Sequence, residues 1–248
     1  MFTYFKKKKS EKKFTNYLDN VAFTYPNVFE YKTIQRLNTL KNTPHLLKMP
    51  ELCDAKIFCA KLNKIEVQYS ESGEATKLVG SLNFDQFVRT VMPKDNGKYV
   101  FHNILKDRRA CNIIPQLIRI PKFIKKNNMR DLRISRLYAG GKYSGTHLHI
   151  HSEALNYLVS GKKLWVMFPF SSKNNDFVDS NNMRYGQVKS TALQWFMDSY
   201  RLMTTPNAIE NLNIFIQEEK EVVYVPLGCH HAVVNLEDSI GITYSWVN

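Results

Sequence analysis

The sequence predicts a mainly β protein, a double-stranded β-helix or jelly roll, with helices flanking its N-terminal side and one helix inserted in the barrel. From Asp131 onward, short strand-like runs follow one another between tight turns, and a helical period interrupts them once. Five of the seven histidines fall in two remote clusters of that half, His147, His149 and His151, then His230 and His231. A sheet rolled on itself is what brings such distant segments together.

Length and charge bound the rest. At 248 residues and 44% hydrophobic content the chain can bury a substantial core, and no internal repeat or linker divides it. We expect a single domain over residues 21–248, its core at 131–248, behind a basic flexible arm at 1–20 that holds Lys6 to Lys9, Lys12 and Lys13. Thirty-five Lys and Arg against 22 Asp and Glu give a formal charge of +13, which favours an acidic partner, nucleic acid or an acidic peptide. Cys53, Cys59, Cys111 and Cys229 form no CxxC pair, which suits reduced thiols. No apolar run is long enough to cross a bilayer, and the charged N-terminus has no secretory h-region. The expectation is a cytoplasmic or nuclear protein with no membrane partner.

In chain order, Ile34, Leu37 and Leu40 predict a short helix over Thr33 to Lys41, stopped by Asn42 to Pro44. Ala55 to Gln68 reads as strand-like material broken at Asn63 and Lys64, and the polar loop SESGEATK follows. Asn83 and Gln86 are placed for a capping box ahead of Phe84, Phe87, Val88 and Val91 at helical spacing. Tyr99 to Ile104 predicts a strand. Pro115 and Pro121 break Ile113 to Ile124 into irregular packed chain with room for one helical turn. Beyond Asp131, strands are predicted at Leu132 to Tyr138, Thr146 to His151 and Lys163 to Pro169. A polar insertion, Ser171 to Val188, leads to a helix whose Leu193, Phe196, Met197 and Tyr200 face the core. Asn213 to Gln217, Glu221 to Pro226, the segment holding His231, and Ile240 to Val247 complete the sheet material.

The chemistry lies in the histidines. Alternate side chains of a strand share a face, so His147, His149, His151 and Glu153 would point one way, and a rise of roughly 6.7 Å per two residues lets one ion reach two neighbours among them. Adjacent His230 and His231 face opposite ways, and His231 is the member on the side of Val233 and Asn235. Two ligands from one strand and one from another make an open three-ligand site for a first-row metal. One strand away, Lys163 is a long-stemmed cation on the face opposite Lys162, which alternation turns to solvent. Thr146, Asn156 and Thr243 can hydrogen-bond a buried carboxylate.

These residues resemble the JmjC branch of the cupin superfamily, the Fe(II)- and 2-oxoglutarate-dependent oxygenases, and are most similar to its small lysyl-hydroxylase-like members. His149-Ile150-His151 stands where the family has His-x-Asp/Glu, and Pro226 with His231 where it has the distal histidine. The resemblance implies His149, His151 and His231 as iron ligands and Thr146, Asn156, Lys163, Asn235 and Thr243 around 2-oxoglutarate. It implies hydroxylation of a protein or peptide side chain, with RNA or a methyl-lysine as other substrates. His151 departs from the family's acid and takes one negative charge from the metal's surroundings. That departure leaves open a catalytically impaired, metal-binding interaction protein. A broader cupin pattern, with Gly141, His147, His149, Glu153, Gly161 and then Pro226, Gly228, His231 and Asn235, would make His147, His149, Glu153 and His231 the ligands. That alternative suits a non-oxygenase cupin binding a small acid or sugar.

Overall fold

In the computed structural model, thirteen strands among the described residues pair into two sheets. The residues described are 12–14, 18–19, 21, 23–24, 26–30, 43–48, 53–71, 78–94, 97–118, 132–184 and 190–246. The strands are β1 (Asn27–Glu30), β2 (His45–Lys48), β3 (Glu66–Glu71), β4 (Leu78–Asn83), β5 (Lys98–Asn103), β6 (Leu132–Gly140) and β7 (Gly145–His149). They continue with β8 (Glu153–Ser160), β9 (Lys163–Phe168), β10 (Asn213–Gln217), β11 (Glu221–Val225), β12 (His230–Asn235) and β13 (Ser239–Trp246). The larger sheet runs β1-β2-β11-β8-β13-β6-β5-β3-β4 and the smaller β10-β9-β12-β7.

From β6 onward the chain passes from sheet to sheet, with β6, β8, β11 and β13 in the larger and β7, β9, β10 and β12 in the smaller. All pairings among these eight are antiparallel. This is the double-stranded β-helix that the sequence predicts. Its inner layer draws Ala154, Val223 and Val225 from one sheet and Trp165, Met167, Phe215 and Val233 from the other. Helices α1 (Ala55–Leu62) and α2 (Arg108–Leu117) cover the outside of the larger sheet. Helices α3 (Ser172–Ser180) and α4 (Ala192–Met203), inserted between β9 and β10, cover the smaller.

Covering both faces explains where the patterning misleads. In β8 every residue from Glu153 to Val159 is buried, so EALNYLVS shows no alternation and yields no strand prediction, although it lies at the centre of the larger sheet. Ala55–Leu62 is a helix and not strand-like chain: Asp54 caps it by accepting from the Lys56 amide at 2.8 Å, and Phe58 and Leu62 share its buried face. The stretch around Pro115 is helical as well. The Asp107 carboxylate takes the Arg109 and Ala110 amides, and Pro115 sits late enough that it costs a single main-chain bond. The polar insertion holds α3, capped by Ser171, so two helices are inserted where one was expected.

The predicted helix at Asn83 is a short α turn, Phe84–Gln86, running into a π turn, Phe87–Val91, and the Asn83 side chain makes no cap bond. Within residues 1–20, Phe14 is fully buried edge-on to the Tyr143 ring at 5.5 Å, so the solvated character expected of the arm does not reach it. The helix expected over Thr33 to Lys41 lies outside the described residues.

Candidate metal centre

Residues Gly145 to Glu153 leave one sheet and enter the other, and this crossing builds the site. β7 pairs with β12 through His149 opposite His231 and Thr146 opposite Val233, so three steps on β7 match two on β12. This bulge lets Thr146 and His149, three residues apart, face the same pocket, which strict alternation forbids. Gly145 permits the close pairing, since a Cβ there would lie 2.0 Å from the Val233 carbonyl oxygen. β7 then ends, and His151 reaches the centre from the connection to β8.

His149, His151 and His231 thereby offer three nitrogen atoms that all lie within 4.8 Å of one another. Ring centroids are 4.1 Å apart for His149 and His231, 4.5 Å for His151 and His231, and 5.4 Å for His149 and His151. Each ring is oriented by the main chain. Nδ1 of His149 donates to the His147 carbonyl at 2.8 Å, Nδ1 of His151 to Ser152 at 2.6 Å, and Nδ1 of His231 to Cys229 at 2.9 Å. Because a carbonyl can only accept, Nδ1 carries the proton in all three and the Nε2 lone pair is left for an ion. Burial pushes His149 down to about 4, with His151 adding to the effect. Burial also lowers His151, and it lowers His231 well below its ordinary value, helped by the other two rings. The triad is neutral at pH 7, the form that ligates, and three imidazoles on one side of a pocket fit a divalent first-row ion.

The other end of the pocket is cationic. Lys163 is 2% exposed, its Nζ is 3.8 Å from the Tyr138 ring centroid, and burial pushes it down to about 7. Lys162, a third exposed, instead meets Glu218 at 3.2 Å, as alternation predicts. Lys163 pairs with Asn235 on β12 and His231 with Met167 on β9, four residues along, a separation of roughly 13 Å between the strand positions. A lysine stem, an imidazole and a five-carbon diacid can together span it. Between them, Asn156 Nδ2 donates to Thr243 Oγ1 at 2.9 Å, and the Tyr138 hydroxyl donates toward Asn156 Oδ1 and the Tyr157 carbonyl, both at 2.6 Å. Thr146, Asn156, Lys163 and Thr243 line one pocket with the three histidines.

Other candidates are placed elsewhere. Asn235 is absent from the pocket lining and holds the β6–β7 turn, its Nδ2 donating to the Gly140 carbonyl at 3.1 Å and to Ser144 Oγ at 3.0 Å. A buried turn needs donors for its carbonyls, and Asn235 supplies them. Glu153 opens β8 in the other sheet, outside the cluster, and accepts from the Tyr224 hydroxyl at 3.1 Å. His147 is buried outside the cluster and contributes its carbonyl to His149. His230 is stacked on Phe168 at 5.0 Å, on the outer side of the smaller sheet.

Sequence reasoning missed Tyr138, Trp165 and Gln217. Trp165 stacks on His231 at 6.0 Å and donates to Gln217 Oε1 at 2.9 Å, and Gln217 Nε2 donates to the Asn156 carbonyl at 2.9 Å, tying the two ends together. Tyr138 carried one signal. It sits opposite Gly241, where a Cβ would lie 2.0 Å from its hydroxyl, so a tyrosine facing a glycine across two strands marked a place kept clear for a phenol.

Among known families, residues 136–246 match the model described as JmjC domain, hydroxylase. The chain is similar to the 2-oxoglutarate and iron-dependent oxygenase JMJD4 of Mus musculus, 35% identical over 161 residues, covering 58% of this chain and 36% of that protein. It is similar to the arginine-specific demethylase JMJ20 of Arabidopsis thaliana, 32% identical over 121 residues, 45% of this chain and 23% of the relative. It is also 24% identical over 163 residues to the bifunctional arginine demethylase and lysyl-hydroxylase psr-1 of Caenorhabditis elegans, 61% of this chain and 40% of that one. The chain therefore spans well under half the length of these relatives.

Proposed function

We propose that the chain belongs, through residues 136–246, to the JmjC domain family, and that it is an Fe(II)- and 2-oxoglutarate-dependent oxygenase that hydroxylates a protein side chain. One observation carries the reading: three imidazoles with Nε2 free converge at one end of a pocket whose other end holds a buried ammonium. An iron ion held there would supply oxygenase chemistry, in which dioxygen gives one atom to 2-oxoglutarate as it loses CO2 to become succinate and the other to a substrate C–H bond, leaving a C–OH.

The chain's own residues do the positioning. His149, His151 and His231 would hold the ion, and their Nδ1–H bonds to main-chain carbonyls fix the rings before it arrives. Lys163, itself buried, would take the remote carboxylate of 2-oxoglutarate as a charge-assisted pair, with Thr146, Asn156 and Thr243 along its length. The protein substrate rests on relatives named for arginine demethylation and lysyl hydroxylation. Four unpaired cysteines suit a reducing compartment, cytoplasm or nucleus. Among the described residues, no helix is long and apolar enough to cross a membrane.

Anaerobic addition of Fe(II) and 2-oxoglutarate should produce a visible charge-transfer band, and admission of oxygen should release succinate. Both should disappear in His149→Ala and His231→Ala. A folded wild-type protein that shows neither would overturn the proposal.

A further inference from the structure

Among the described residues, no carboxylate lines the pocket that would take a dication and a dianion. His151 stands in the connection between β7 and β8 with its Nδ1 committed to the Ser152 carbonyl, so it approaches an ion as a neutral donor. Glu153, the nearest acid along the chain, accepts from the Tyr224 hydroxyl and is not a member of the cluster. At the far end the Lys163 ammonium, 2% exposed, faces the Tyr138 ring. With an ion in place, the pocket would hold two positive centres, and no carboxylate among the described residues lines it.

We propose that this chain binds its metal ion and its keto diacid as a strongly coupled pair, and that His151 sets the strength of the coupling. The inference rests on the functional reading above and deepens it. Neutral ligands leave the ion's full charge to act on Lys163 and on whatever enters between them, in surroundings where charges are poorly screened. Alone, the ion is opposed by the ammonium. A diacid carrying one carboxylate to each end cancels both charges at once, so each ligand raises the affinity for the other by the same factor. An acid at position 151 would neutralise part of the ion beforehand, so the ion would bind better alone and gain less from the diacid. Loading then follows the supply of the diacid, and the ion is held firmly only while the diacid is present.

The test is an equilibrium cycle that needs no turnover. Co(II), whose visible spectrum reports its coordination, is titrated anaerobically at pH 6, where Lys163 carries its charge, into the metal-free protein with and without saturating 2-oxoglutarate, in the wild type, in His151→Asp and in Lys163→Met. We expect 2-oxoglutarate to raise Co(II) affinity in the wild type at least about tenfold more than in His151→Asp, within the usual span of such couplings. Co(II) alone should bind more tightly to both variants than to the wild type. Lys163→Met removes the opposing charge from the other end of the pocket and leaves the triad intact, so it tests the same claim if His151→Asp folds poorly. Equal coupling in wild type and His151→Asp, or Co(II) binding alone no better to Lys163→Met, would overturn the coupling and leave the oxygenase reading standing. A wild type that binds no Co(II) with or without the diacid would overturn both.

Discussion

The two ends of the pocket are built by different means. At the metal end, main-chain carbonyls of His147, Ser152 and Cys229 hold three imidazoles, so orientation is set by the path of the backbone before any ligand arrives. At the far end, Lys163 is held over an aromatic face, beside the side-chain relay of Tyr138, Asn156 and Thr243. One end is a geometry fixed by the main chain and the other a lysine whose charge burial disfavours. Damage at the first should abolish binding, and damage at the second should grade it.

The largest effect is expected for His231→Ala. Losing an outer partner of a metal ligand costs roughly 10–100-fold in affinity, and losing the ligand itself should cost more. Calorimetry with Co(II) should show more than about a 100-fold loss, with the circular dichroism of the fold unchanged. Retention of metal within tenfold would mean that the carbonyl-fixed end is not the binding end.

Lys163→Met comes next and should separate the ends. A hydrogen bond to a charged group is worth about 1.5–3 kcal/mol, so the affinity of the metal-loaded protein for 2-oxoglutarate should fall roughly 10–100-fold. Stability should move the other way. Lys163 titrates near 7 in the folded protein against an ordinary value of 10.5, so between those values the unfolded chain binds more protons and wild-type stability rises with pH. Below about 7 the full cost of the buried ammonium is present. Urea denaturation of the ligand-free proteins at pH 6 and pH 9.5 should show a larger rise in the wild type than in the variant, which keeps only the part owed to its other buried groups such as the histidines, and a more stable variant at pH 6. A wild type with no such rise would show that Lys163 is paired before the diacid binds.

Tyr138→Phe should do less. It removes the hydroxyl that meets Asn156 Oδ1 and the Tyr157 carbonyl, about 1 kcal/mol of stability. With Asn156 less firmly held, 2-oxoglutarate should bind a few-fold more weakly and Co(II) alone unchanged. An equal loss for both ligands would erase the distinction between the two ends.

Legibility in the sequence follows the same division. The convergence of His149, His151 and His231 could be read from the spacing their segments share with the family they resemble, and Lys163 could be separated from Lys162 because adjacent residues of an extended chain face opposite ways. The bulge in β7 could not be read. It depends on β12 pairing three residues with two, and strand periodicity wrongly put His147 on the ligand face. β8 was hidden by burial on both faces, although Asn156 sits in it. Asn235 deceived for a different reason. A side-chain amide suits a buried carbonyl as well as a carboxylate, and only the fold shows that the Gly140 carbonyl lies nearer.

The smallest effect should come from His230→Phe, and it is the sharpest control because His230 and His231 are adjacent. His230 lies on the outer side of the smaller sheet, stacked on Phe168 at 5.0 Å and on Phe170 at 6.0 Å, and its buried Nε2 has no hydrogen-bond partner among the described residues. Phenylalanine keeps the stacking and removes the unsatisfied nitrogen, so stability at pH 7 should hold or rise slightly. Burial pushes His230 down to about 4, with Arg184 contributing, whereas in the unfolded chain it titrates near 6.5. The unfolded state therefore takes up this proton first, and the wild type loses stability as pH falls from 6.5 toward 4. The variant should lose less over that window in urea titrations at pH 7 and pH 4.5. His149, His151 and His231 are lowered by burial too, so the loss should be reduced and not abolished. Co(II) affinity should change less than about twofold, because no atom of His230 belongs to the triad or to the pocket lining. A large drop in metal binding would mean that the two faces of β12 are not independent and that the metal end owes its geometry to outer packing as well as to the main chain.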